Sequence, residues 1–208
     1  MAEPTIAGSE LVLGGQKSGK SRRAEALACD WMAQSPDHRA VMIATATAWD
    51  DEMKDRIARH QLDRAERVPG MTTVEEPIDL GKAIQTYSSS QTLVVVDCLT
   101  LWLTNLLMPH ENAENSSKNA RNGQKNASNT PADQQIRAQA ATLLIAINNA
   151  SGPVILVGNE IGLGVIPMGR ETRDFVDALG RINQEVAAAC ERVTFMAAGL
   201  PLTLKGQA

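Results

Sequence analysis

"ELVLGGQKSGKS", residues 10–21, decides how this chain folds. A short apolar run breaks into two glycines, and the stretch closes on a lysine and a serine. Glycines let a backbone wrap closely enough for several N–H groups to converge on one anion. Gly14, four further residues and then Gly19-Lys20-Ser21 make the P-loop pattern. Gly14, Gly15, Gln16, Lys17, Ser18, Gly19, Lys20 and Ser21 are therefore expected to line nucleotide phosphates. Lys20 would reach the β and γ phosphates and act in catalysis, and Ser21 would give its hydroxyl to Mg²⁺. The helix read immediately afterwards turns its positive end toward the same anion.

Outward from this stretch, apolar runs of strand length alternate with helical periods. "ELVLGG", "AVMIATA", "TLVVVDC" and "GPVILVGNE" read as strands. "SRRAEALACDWMA", "DDEMKDRIARHQLDR", "LTLWLTNLLM", "QIRAQAATLLIAINNA" and "RDFVDALGRINQEVAAAC" read as helices. "VTFMAAGLPLTLK" reads as a terminal hairpin around Gly199-Leu200-Pro201. Near-continuous apolar strands between helices predict an α/β fold with a mostly parallel sheet, and the hairpin adds an antiparallel C-terminal edge strand. A P-loop needs an acid for its magnesium. Asp97, which ends "LVVVD", stands where that acid is expected, with Ser21 as the other protein ligand.

Composition narrows the class. The 208 residues suffice for one domain, are 43% hydrophobic and carry a formal net charge of -4, which argues against a nucleic-acid partner. Three widely spaced cysteines form neither a disulfide framework nor a zinc site, so a cytoplasmic location is the expectation. The start "MAEPTIAGSE" does not read as a secretory signal, and no apolar run reaches the ~18 residues of a membrane span. Residues 109–135 hold six asparagines and no large aliphatic side chain. Such a segment cannot offset its ordering entropy, and it is predicted to be a mobile loop within one P-loop domain spanning 1–208. An N-K-x-D guanine motif and an arginine-rich lid are both missing, which disfavours Ras-like proteins and nucleoside-monophosphate kinases.

Four stretches carry a more specific signal: "LVLGGQKSGKSRRAEALA", "IATATAWDDEMKDRIARHQLDR", "VVVDCLTLWLTNLL" and "VGNEIGLGVIPMGRETRDFVDALGRINQEVAAACERVTFMAAGLPLTLK". Together they resemble the bifunctional adenosylcobinamide kinase/adenosylcobinamide-phosphate guanylyltransferase family of cobalamin biosynthesis. The resemblance implies a RecA-like single-domain P-loop NTPase assembled as a homotrimer. It implies two reactions. A nucleoside triphosphate, ATP or GTP, phosphorylates adenosylcobinamide. GTP then gives GMP to adenosylcobinamide phosphate, by way of a guanylyl-histidine, and pyrophosphate leaves.

His60 is the histidine that "RIARH" matches to the family's nucleotidyl-histidine. His38 falls in a polar turn and His110 in the Asn-rich segment, so His60 is also the histidine read within an ordered element. Some relatives carry two adjacent histidines here, whereas this chain has Arg59-His60. Imidazole suits the task because its pKa of ~6.5 leaves a neutral nucleophile near pH 7. The resemblance further brings Thr45, Ala46, Thr47, Gln61, Leu62, Asp63, Arg64 and Glu75 to the nucleotide, Arg64 being suited to neutralise an α-phosphate. Arg170, Arg173, Asp174, Asn183 and Gln184 match the family without an evident role, at either the corrinoid or a subunit contact. A kinase without guanylyltransferase activity and a RecA-like ATPase remain the alternative readings.

Overall fold

The computed structural model describes residues 6–48, 51–107, 131–165 and 167–207; within its helices the side chains of residues 52, 53, 56, 60, 131 and 132 are outside that description. The chain runs β1 (Ser9–Gly14), α1 (Lys20–Gln34), β2 (Arg39–Ala44), α2 (Asp51–Arg67), β3 (Thr72–Glu75), α3 (Leu80–Tyr87) and β4 (Thr92–Asp97). It continues through α4 (Leu99–Leu107), α5 (Pro131–Asn148), β5 (Val154–Asn159), α6 (Arg170–Ala189), β6 (Arg192–Ala197) and β7 (Leu200–Lys205).

The strands form one seven-stranded sheet in the order β3-β2-β4-β5-β1-β6-β7. Every pairing is parallel except β6–β7, as the expected terminal edge requires. Central strands are apolar on both faces because both are covered. Leu11, Leu13, Val94, Val96, Val154 and Leu156 face a core built with Leu103, Leu143, Leu179 and Ile182 from the helices. The alternate residues Val12, Leu93, Val95, Ile155 and Val157 face Ala24, Leu27 and Ala28 of α1. This period-two division fixes the register, since a one-residue slip would exchange the two faces.

A charge lies inside this sheet. Glu10 is fully buried on β1. It accepts from Arg23 of α1 at 2.9–3.0 Å and from Thr194 of β6 at 2.8 Å, with Arg192 at 3.4 Å. Its carboxylate is thus paired and ties α1 to the sheet just below the phosphate-binding turn.

Two expectations need correction, and two short elements add to the reading. The hairpin turn is Ala198-Gly199, one residue earlier than read, with φ of 52° and 81° at its two positions. Two consecutive positive φ values match the twist of a tight two-residue hairpin. The short β3 and α3 had no strong periodic signal. Of the Asn-rich span 109–135, residues 109–130 lie outside the described residues, but 131–135 open α5. Pro131 suits a first helical position, and Asp133 in the first turn suits the helix dipole.

Candidate nucleotide site

Three neighbouring parallel strands end together. Gly14 of β1 pairs with Asn159 of β5, and Asp97 of β4 pairs with Val157 of β5 and Ala44 of β2. The expected cradle and the expected magnesium acid therefore share the carboxyl edge of the sheet, where open α/β sheets bind ligands. Asn159 and Glu160 lie between them. The Glu160 N–H donates to the Gly14 carbonyl at 3.1 Å.

The cradle is closely built. Gly14 has φ +151°, and a Cβ there would meet the Met196 carbonyl oxygen at 2.5 Å and Ser18 Oγ at 2.6 Å. Glycine is required by both backbone and space. The Lys20 ammonium donates to the Gly15 carbonyl at 2.6 Å, although only 8% of the residue is exposed. Burial pushes its pKa down, while Cys98 and Asp97 push it up. Ser18 Oγ is buried without a hydrogen-bond partner. A buried cation and an orphaned hydroxyl at the start of α1 fit the oxygens of a phosphate. The C-terminal hairpin braces the turn, for the Gly199 N–H donates to the Ser18 carbonyl at 3.0 Å. Gln16 and Lys17 are exposed.

The residues also fit magnesium. Ser21 and Asp97 are half-buried oxygen donors at the same edge. Mg²⁺ is usually held by one or two such groups together with substrate phosphates. Among the described residues no cluster of three or more His, Cys, Asp or Glu side chains forms a metal cage of its own.

Thr45 has a structural job in this arrangement. It is fully buried. Its hydroxyl donates to the Cys98 carbonyl at 2.7 Å and accepts the Cys98 N–H at 2.8 Å. The Thr45 N–H donates to the Asp97 carbonyl at 3.1 Å, and the Asn105 side chain donates to the Thr45 carbonyl at 2.7 Å. Thr45 fixes the end of β4 rather than presenting a side chain to the cradle. Ala46 and Thr47, half-buried, carry the chain on along the edge.

Helix α2 runs from the carboxyl edge toward the amino edge, because it links parallel β2 to β3. Its C-terminal end is pinned to α1. Glu25 accepts from Arg67 at 2.5 Å and lies 4.0 Å from Arg64, which also donates to Thr73 Oγ1 at 3.3 Å. The Arg64 guanidinium is thereby held between Glu25 and Thr73. Asp63 pairs with Arg67 at 3.2 Å, while Gln61 and Leu62 are exposed. At about 1.5 Å per residue, His60 lies roughly 6 Å from Arg64 toward the carboxyl edge, and Lys20 lies roughly 7.5 Å from Glu25 in the same sense. The backbone of His60 is thus placed on the helix beside α1, on the cradle side of the Glu25 clamp.

Glu75 is not brought to the cradle. It ends β3, the edge strand four places from β1, about 19 Å away at ~4.8 Å per strand. Its neighbour Glu76 accepts the N–H groups of Ile78 and Asp79 in the turn that leads into α3. His38 is committed elsewhere too. Its ring stacks on Trp31 at 3.7 Å and bonds the Trp31 carbonyl at 2.8 Å, at the opposite, amino edge of the sheet.

The unassigned family residues separate into different positions. Asn183 donates to the Asn159 carbonyl at 3.1 Å, locking α6 to the end of β5. Arg173 donates to the Pro167 and Met168 carbonyls and so ties the preceding loop to the same helix. Arg170 and Asp174 form an exposed pair at 3.7 Å. Asn159 and Glu160 stand at the same edge; "GNE" marks a strand end, and only the strand order places it between Gly14 and Asp97.

A parallel sheet whose first strand enters a glycine-lined anion cradle, with a buried lysine and an acid at one edge, defines a P-loop nucleotide-binding protein. A family model described as cobinamide kinase / cobinamide phosphate guanyltransferase matches residues 10–204, and the chain belongs to that family. It is similar to the bifunctional adenosylcobalamin biosynthesis protein CobP of Pseudomonas aeruginosa, 41% identical over 199 residues, 95% of this chain and 98% of the relative. The corresponding CobU of Escherichia coli is 34% identical over 195 residues, 94% of this chain and 98% of that one. Among solved structures, the flagellar accessory protein FlaH from Methanocaldococcus jannaschii aligns at a TM-score of 0.47 and 12% identity, over 97% of this chain and 80% of that one. Among the described residues no helix is long and apolar enough to cross a membrane.

Proposed function

We propose that this protein phosphorylates adenosylcobinamide with a nucleoside triphosphate, then transfers GMP from GTP to the product through a guanylyl group on His60. The end products are adenosylcobinamide-GDP and pyrophosphate. The observation that carries this reading is the preformed cradle of Gly14–Ser21 at the edge shared with Asp97, in a chain of this family. The full chain acts as a single nucleotide-binding domain, with its Asn-rich segment dispensable. A homotrimer located in the cytoplasm completes the reading.

In the kinase step the hydroxyl oxygen of the aminopropanol arm attacks the γ-phosphorus. That O–P bond forms as the bond to the β-bridging oxygen breaks, the diphosphate leaves, and the hydroxyl proton is released. Lys20 exchanges its bond to the Gly15 carbonyl for the phosphate oxygens and stabilises the charge moving between them. Backbone N–H groups of the turn and the Ser18 hydroxyl hold the remaining oxygens. Ser21 and Asp97 would hold Mg²⁺, which neutralises phosphate charge when bound.

In the second step a neutral His60 nitrogen attacks the α-phosphorus of GTP. An N–P bond forms, the bond to the β-phosphate breaks, and the ring loses its proton. A phosphate oxygen of adenosylcobinamide phosphate then attacks the same phosphorus, and the N–P bond breaks as its electron pair returns to the ring, which takes back a proton and regenerates neutral His60. Ala46 and Thr47 lie along the nucleotide, and the exposed Gln61 and Leu62, just past His60, meet the guanosine.

The test is a product analysis by mass with adenosylcobinamide, GTP and Mg²⁺. The phosphate ester should appear first and the GDP conjugate should follow. Ester without conjugate would favour the kinase-only reading. Nucleotide turnover with the corrinoid unchanged would contradict both steps.

A further inference from the structure

Helix α6 contains a glycine with no packing reason to be there. Gly180 sits ten residues past the helix start, and a Cβ built on it meets nothing within 4 Å. A mid-helix glycine is less stable than alanine, so an empty position should favour alanine. What lies above Gly180 is a cleft of about 530 Å³ between α6 and the loop that follows β5. Ile161, Val165 and Val176 contribute apolar walls; Asp177, Arg181 and Gln184 supply donors and acceptors.

The cleft adjoins the nucleotide site through the backbone. Its loop begins at Glu160, whose N–H bonds the Gly14 carbonyl, and Asn183 holds the Asn159 carbonyl beneath it. The loop end is fastened to α6 by Arg173. Val165 is 96% exposed, so apolar surface stands uncovered on the loop that starts at Glu160.

We propose that this cleft seats the corrinoid, with Gly180 as its floor. The proposal rests on the kinase reading given above. A corrinoid presents an apolar macrocycle face fringed with neutral amide arms. Such a ligand needs close approach over bare backbone, aliphatic contact, and groups that both donate and accept. Gly180 provides the first, Ile161, Val165 and Val176 the second, and Asp177, Arg181 and Gln184 the third. A substrate seated here turns its hydroxyl arm along Glu160 toward Lys20.

Gly180→Ala and Gly180→Leu test the assignment, because neither should disturb the free protein. Thermal midpoint, affinity for a fluorescent GTP analogue and oligomeric state are measured beside the KM for adenosylcobinamide in the kinase assay. Gly180→Ala is expected to raise the thermal midpoint and to raise the corrinoid KM. Gly180→Leu is expected to raise that KM by about tenfold or more, equivalent to ~1.4 kcal/mol, with GTP-analogue affinity unchanged. Unchanged corrinoid KM in a folded Gly180→Leu protein overturns the assignment. If the leucine variant does not fold, an unchanged KM in Gly180→Ala overturns it equally. A changed oligomeric state with unchanged KM would make the cleft a contact between copies of the chain and would also overturn it. Wild type that never phosphorylates adenosylcobinamide would instead defeat the kinase reading itself.

Discussion

The Lys20 ammonium and the Gly15 carbonyl are 2.6 Å apart, so the cradle holds its own cation in place. The lysine is buried, and that burial lowers its pKa. The fold thus sustains a desolvated charge whose benefit comes when phosphate arrives. Lys20→Ala should reduce both the kinase and the guanylyl-transfer rates by roughly 10²–10⁴-fold, the scale of a lost transition-state cation. Thermal stability should hold, since a desolvated charge is removed rather than created. Near wild-type phosphorylation of adenosylcobinamide by this variant would refute the role.

Gly14 tests the geometry of the same turn. A Cβ would sit 2.5 Å from the Met196 carbonyl oxygen, which is backbone of β6 and cannot rotate away. Gly14→Ala should cost about 2–3 kcal/mol in denaturant unfolding. It should also weaken nucleotide binding. A variant as stable as wild type would show that β6 does not press on the turn as described.

The clamp on α2 makes a second stability prediction. Glu25 is buried and faces both Arg64 and Arg67. Glu25→Ala leaves the buried Arg64 guanidinium without its carboxylate and should cost about 3 kcal/mol. Adding Arg64→Met should recover part of that loss, because the uncompensated charge goes with it. Additive losses in the double variant would contradict the coupling. Because α2 carries His60, guanylyl transfer should fall further in Glu25→Ala than the kinase step.

Alkaline pH supplies a third test. Burial pushes the Cys98 thiol up to about 11 and the Cys190 thiol up to about 12, from an ordinary value of 9.0. Between pH 9.0 and those values the native state keeps protons that the unfolded chain has lost. Stability therefore stands in full below pH 9.0 and declines as pH rises toward 12. Denaturant midpoints measured across that window should fall, and Cys190→Ala should flatten part of the slope. A midpoint that rises with pH would contradict the burial of these thiols.

The Asn-rich segment should be replaceable. Exchanging residues 110–129 for a short Gly/Ser linker should change stability by about 1 kcal/mol, because loop-closure entropy depends weakly on length. Both rates should survive. Insoluble protein or a many-fold loss of either rate would give the segment a structural role.

The parts of the site legible in the sequence were those with local causes. Gly14–Ser21 is a contiguous pattern whose chemistry follows from its own residues, and Asp97 closes an apolar run. Thr45 and Arg64 were harder, because a polar residue near a site reads the same whether it meets a ligand or a neighbouring element. Here Thr45 meets Cys98 and Arg64 meets Glu25. Where Glu75 stands relative to Gly14 depends on four strand pairings that no local spacing reveals. The same order is what places Asn159 and Glu160 between the cradle and Asp97. The short β3 and α3 were missed because four and eight residues leave little periodicity to read.

The covalent guanylyl group on His60 is the central claim, and α-labelled GTP tests it most directly. With Mg²⁺, label should stay on the denatured protein, be lost in acid and survive base, as a phosphoramidate does. Label on the γ-phosphate should not be retained, because pyrophosphate leaves. His60→Ala should eliminate both labelling and transfer, yet spare much of the kinase step, which needs the cradle and not a nucleophilic imidazole. Label still taken up by His60→Ala, or wild type that makes adenosylcobinamide-GDP without ever carrying label, would contradict the account.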